Sequence, residues 1–107
     1  MKVWKQLSIY TSEGSRLGTR ALHTAMIATA LEQGLYSATV VKSMEGFGPQ
    51  MAIPTTNQMA LDSDLPIEIR IIDEPDRINE FLASQRDTLS TCVVVLRDVE
   101  IFWAPQS

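Results

Sequence analysis

Over the first ten residues apolar and polar positions alternate. Val3, Lys5, Leu7 and Ile9 fall on one side, and Trp4, Gln6, Ser8 and Tyr10 on the other. That period of two predicts a strand over Val3–Tyr10 whose second face is only half polar. Thr11–Thr19, which holds Ser12, Gly14, Ser15 and Gly18, reads as a loop. From Arg20 to Gln33 the spacing becomes helical, with Leu22, Ala25, Met26, Thr29 and Ala30 as the core stripe. Thr19 stands where an N-cap belongs, and Gly34 where a helix ends. Ile27 and Leu31 mark a second apolar ridge, so this helix is expected to meet a partner subunit as well as its own core.

A second strand is expected over Leu35–Glu45, centred on Ala38, Thr39, Val40 and Val41. Gly46 to Asp64 shows no period, holds Pro49 and Pro54, and far exceeds the usual connection of about 4–6 residues, which marks it as a functional loop. Leu65–Asp73 alternates again, with Ile67, Ile69 and Ile71 on one face and Glu68, Arg70 and Ile72 on the other. Asp73, Glu74 and Pro75 open a second helix whose stripe is Ile78, Phe81 and Leu82, with Arg86 near its end. Cys92–Leu96 is a continuous apolar run, as expected of a strand covered on both faces, and Val99–Trp103 extends it or adds a short edge strand.

The order is βαββαβ. It predicts one α+β domain over residues 1–107: a ferredoxin-like, four-stranded antiparallel sheet with two helices on one face. The other face carries Trp4, Tyr10 and Ile72. Leaving large apolar groups there in water forfeits about 1.5–3 kcal/mol apiece, so self-association through the open face is expected.

Composition narrows the function. A chain of 107 residues, 45% apolar, has room for one core. Nine basic against thirteen acidic residues oppose a nucleic-acid binder. The longest apolar run is far short of the ~20 residues of a spanning helix, and the start has no secretory character, so a cytoplasmic domain without membrane insertion is expected. The single Cys92 excludes an internal disulfide. All five glycines lie in the first 48 residues, which carry a net +2 while the remainder carries −6; an anion site belongs in the first part.

Catalysis is poorly supported. His23 has no base partner nearby in sequence, Cys92 sits in the most apolar strand, and Asp73, Glu74 and Asp76 suit a helix start better than a metal. No enzyme activity, metal or required cofactor is expected. Two short segments are more informative. Lys42-Ser43-Met44-Glu45-Gly46-Phe47-Gly48 offers backbone N–H groups, a cation and a stacking ring, and Glu13-Gly14-Ser15-Arg16 offers a guanidinium. Arg70 and Arg97 join them as candidate ligand groups on charge alone.

Taken together, several segments resemble a bacterial PII-like signalling family, related to nitrogen regulatory protein PII. They are Ile9-Tyr10-Thr11-Ser12-Glu13 with Arg16, then Gly34-Leu35, Ala38-Thr39-Val40, Glu45-Gly46-Phe47-Gly48 and Asp64-Leu65-Pro66. Ser37 and Ser43 stand where that pattern has glycines. The resemblance implies a homotrimer with ligand clefts between subunits and a T-loop at about residues 46–64. It also implies a small anionic effector, an adenine nucleotide (ATP, ADP or AMP) with bicarbonate as a further candidate. The implied target is a membrane transporter or other regulated protein in inorganic carbon or nitrogen metabolism. Residue by residue, Gly46, Phe47 and Gly48 match the T-loop base, and Glu13 and Arg16 its neighbouring loop. The alternative is a protein-interaction module without a small molecule, its contact surface supplied by Met44, Met51 and Met59.

Overall fold

The structure is a computed structural model and describes residues 1–43 and 64–105. In chain order the elements are β1 (Lys2–Ser12), β2 (Arg16–Leu17), β3 (Arg20–Ala21), α1 (Leu22–Glu32), β4 (Ser37–Lys42), β5 (Pro66–Asp73), α2 (Pro75–Gln85) and β6 (Val93–Ile101). The main sheet runs β4-β5-β1-β6 with every pair antiparallel, which is the expected ferredoxin-like arrangement. No helix among the described residues is long and apolar enough to cross a membrane.

Strand periodicity sorts the side chains. Leu7 and Ile9 of β1 stand beside Ile71 and Ile69 of β5, and with Ile67 they form the fully buried floor on which the helices rest. α1 contributes Leu22, Met26 and Ala30 to this core, and α2 contributes Ile78 and Phe81, with Leu89 closing the end. Thr29, placed in the stripe by spacing, is only half-buried and returns its hydroxyl to the Ala25 carbonyl at 2.9 Å. Of the second ridge, Ile27 packs against this same core while Leu31 is exposed.

Several boundaries differ from expectation for local reasons. Thr11 and Ser12 extend β1, and the segment read as a loop holds β2 and the Gly18 turn, at φ +63, of a small hairpin whose other strand, β3, takes the first two positions read as helix. Gly18 adopts the left-handed conformation that side chains resist. Because Arg20 and Ala21 belong to that hairpin, α1 begins at Leu22 with Ala21 rather than Thr19 at its N-cap and no side-chain cap. Gly34, at φ +73, lies just beyond the helix as expected. The second strand is shorter than expected, spanning Ser37–Lys42, and Pro75 sits in the first turn of α2.

The largest correction concerns Cys92–Leu96. The run is not covered on both faces in the chain: Val93, Val94 and Leu96 are 43%, 36% and 43% exposed. β6 is an edge strand, and α1 and α2 lie over β1, β4 and β5 instead. A continuous apolar run signals that both faces are suited to burial but not what supplies the cover. Beyond β6, Phe102 and Trp103 are also exposed.

The open face differs from expectation too. Trp4 is only 7% exposed, because the Tyr36 ring meets it edge-on, with centroids 5.0 Å apart and planes at 74°. Tyr10 and Ile72 are half-buried. Ser8, at the middle of this face, is fully buried beneath polar neighbours rather than apolar ones.

Candidate functional site

Three strand ends meet where the chain leaves β4 and returns into β5. The Ser43 amide donates to the Pro66 carbonyl at 3.0 Å, which keeps the two edges in register beyond the last strand pair. The Glu13 amide donates to the Leu65 carbonyl at 2.9 Å, and the next amide, Gly14, donates to the Asp64 carboxylate at 2.8 Å. A Cβ on Gly14 would lie 3.0 Å from that carboxylate oxygen, so a side chain there would push the Asp64 carboxylate aside by a few tenths of an ångström. Ser12 and Ser15 hydroxyls bond each other at 2.9 Å across the turn. Over this frame the Lys42 ammonium and the Glu13 carboxylate form an ion pair, with side chains 53% and 35% exposed.

The sheet thus brings together two sequence candidates from segments far apart in the chain, Glu13 and Lys42. Arg16 lies close by in sequence on β2 and is exposed. Gly46, Phe47 and Gly48, with most of the candidate T-loop, lie outside the described residues. Asp64 belongs to the Asp64-Leu65-Pro66 segment of the resemblance but carries no sequence signal of its own as a site residue. Its role depends on register, which no local motif reveals.

Arg70 and Arg97 are not part of this cluster. They lie on the open face, flanking β1 opposite Ser8 and Gln6 respectively. Arg70 grips Glu68 with two parallel bonds, Nε to Oε2 at 3.2 Å and Nη2 to Oε1 at 3.1 Å. The Ser8 hydroxyl also donates to Glu68 Oε2, at 2.7 Å, and Gln6 donates to Ser8 at 3.4 Å. The bonds from Arg70 hold the Glu68 carboxyl below its ordinary value; burial opposes this, and Ser8 and the charges of Arg70 and Arg97 assist.

The opposite end of the sheet carries a cleft of about 460 Å³ lined by Trp4, Tyr36, Asp73 and Arg77. Asp73 was expected to serve the start of α2. It does more: its carboxylate accepts the Glu74 amide at 2.6 Å, the Tyr36 amide at 2.9 Å and Arg77 Nε at 2.9 Å. Arg77 then donates to the carbonyls of Gln33 and Gly34. All the ends of α1, β4, β5 and α2 at this corner are tied by one ion pair.

The remaining chemistry is sparse. His23 Nδ1 and the Thr24 hydroxyl stand 3.5 Å apart. Burial pushes the half-buried Cys92 thiol up, while nearby Thr11 and Thr91 hydroxyls pull it down less strongly. Among the described residues no group of three or more His, Cys, Asp or Glu gathers as a metal site.

Residues 4–101 match the family DUF190, described as "Uncharacterized ACR, COG1993". A UPF0166 protein of Aquifex aeolicus (strain VF5) is 31% identical over 99 residues, covering 92% of this chain and 93% of the relative. Another UPF0166 protein of the same organism is 24% identical over 71 residues, covering 66% and 74%. Among solved structures, CPII from Thiomonas intermedia K12 bound to ADP and bicarbonate aligns with a TM-score of 0.61 at 19% identity, covering 94% of this chain and 89% of that one. Its apo form, a nitrogen regulatory PII-like protein, aligns at 0.58 with 17% identity, covering 94% and 92%.

Proposed function

This chain belongs to the DUF190 family and has the fold of PII-like proteins, and on that premise we propose that it is a non-enzymatic PII-like regulator that binds an adenine nucleotide. The observation that carries the reading is the convergence of three strand ends on Lys42, in a fold whose CPII relative is described with ADP and bicarbonate. An ammonium group at a strand end, beside a segment containing Gly46 and Gly48, supplies a charge and closely approachable backbone for a phosphate. Phe47 supplies a ring for the base.

The exposed valines of β4 and β6 support the second element of the proposal, assembly as a homotrimer through uncovered sheet surface. Arg70 and Arg97 lie on the face opposite Lys42, so in this reading they reach ligand only from a neighbouring subunit, across a shared cleft. Arg16 flanks the cleft from the hairpin. The nucleotide-bound state then differs from the free state in its affinity for a regulated target, such as a transporter.

The test is calorimetric titration of ADP, AMP and ATP, each with and without bicarbonate, alongside light scattering for assembly. Saturable binding of at least one nucleotide to a trimer is expected. No heat from any of them, on a protein that still assembles, would instead favour the interaction module, which the exposed Phe102 and Trp103 also suit.

A further inference from the structure

The ion pair at Lys42 has a consequence for how an anion enters. Glu13 is fixed from behind: its own amide is held by the Leu65 carbonyl and the adjacent Gly14 amide by Asp64. Its carboxylate therefore reaches Lys42 from a braced turn rather than from a loose loop. A phosphate approaching the ammonium meets one carboxylate already seated there, and the two like charges repel; Asp64, bound to the neighbouring Gly14 amide, adds a further negative charge to the turn. The pair is exposed enough for exchange, since surface ion pairs are worth at most about 1 kcal/mol.

From this we propose that Glu13 is a built-in competitor for the ligand cation: it holds Lys42 in the free protein and gives it up to an incoming anion. The inference rests on the nucleotide-binding reading above and adds a specificity-determining residue to it. Release of Glu13 cuts the side-chain link between the β1–β2 turn and the end of β4, while the backbone bonds to residues 64 and 65 stay in place. Ligand arrival is thereby felt in the turn that leads into Arg16 at the start of β2. Weak monoanions compete poorly against this carboxylate, and multiply charged phosphates compete well.

The experiment is a double-mutant cycle on ADP binding with wild type, Glu13→Gln, Lys42→Gln and the double variant, each checked for wild-type-like thermal unfolding. Glu13→Gln should tighten ADP binding by about two- to fivefold, the range an exposed ion pair allows. In the Lys42→Gln background the same change should tighten binding less, because only the direct repulsion between the carboxylate and the phosphate is then relieved. Glu13→Ala, which also removes the carboxylate, should reproduce the tightening. Unchanged affinity in Glu13→Gln, or equal tightening without Lys42, overturns the competitor while leaving nucleotide binding intact. ADP bound by neither wild type nor Glu13→Gln overturns both.

Discussion

Two carboxylate–cation pairs occupy opposite ends of one sheet, and they are built differently. At the Asp73 end the acid side chain is 6% exposed and its oxygens accept two backbone amides as well as Arg77. Arg77 in turn serves the carbonyls that end α1. At the Glu13 end both side chains are partly in water, and the backbone bonds there run to residues 64 and 65 rather than to the pair itself. A pair woven into backbone hydrogen bonds is structural, because each partner lost leaves buried groups unsatisfied. A pair resting on the surface can trade one partner for a ligand at little cost to the fold. A carboxylate–cation pair thus holds the molecule together at one end and leaves it open to exchange at the other.

Substitutions sharpen that contrast. Asp73→Ala should give the largest loss of stability, about 2–3 kcal/mol by urea unfolding, since it strands the Tyr36 and Glu74 amides as well as Arg77. Gly34→Ala should cost about 1–2 kcal/mol in the same assay. It forces a side chain to φ +73 and places a Cβ 3.3 Å from Arg77 Nη2. Lys42→Ala should change stability by less than ~1 kcal/mol yet weaken ADP binding roughly tenfold or more, which calorimetry reads directly. An unfolding loss at Lys42 as large as that at Asp73 would break the comparison.

The Glu68–Arg70 pair lies between these extremes, exposed at the arginine but closed over Ser8 at the acid. The folded-state value of Glu68 is lowered, so its contribution is fully present above the unfolded-state value and is lost as pH falls through the folded one. Glu68→Gln should flatten this small acid-side dependence in pH-dependent unfolding. A profile identical to wild type would remove Glu68 as its source.

What could be read from residue order alone follows from period. β1 and β5 alternate over many residues and α2 repeats Ile78 and Phe81 at helical spacing, so their identity and order were legible. The β2–β3 hairpin was not, because two-residue strands have no period to detect. The environment of β6 escaped for another reason: Val93–Leu96 is apolar on both sides, but only topology puts that strand at an edge beyond the helices. Glu13 and Lys42 were each legible as charged residues beside glycine-bearing segments. Their meeting depends on β1 and β4 ending at the same level on either side of β5, a fact of register. Asp73 looked like a helix-start acid, since its bond to Tyr36 spans the fold and leaves no local trace.

The most direct test of the account is crystallisation with ADP, reading where the nucleotide density lies. Phosphate density is expected against Lys42, with the Glu13 carboxylate turned away, in a cleft completed by a second protomer. Nucleotide seated in the Trp4–Tyr36 cleft at the Asp73 end, or against Lys42 in an isolated protomer, would contradict it.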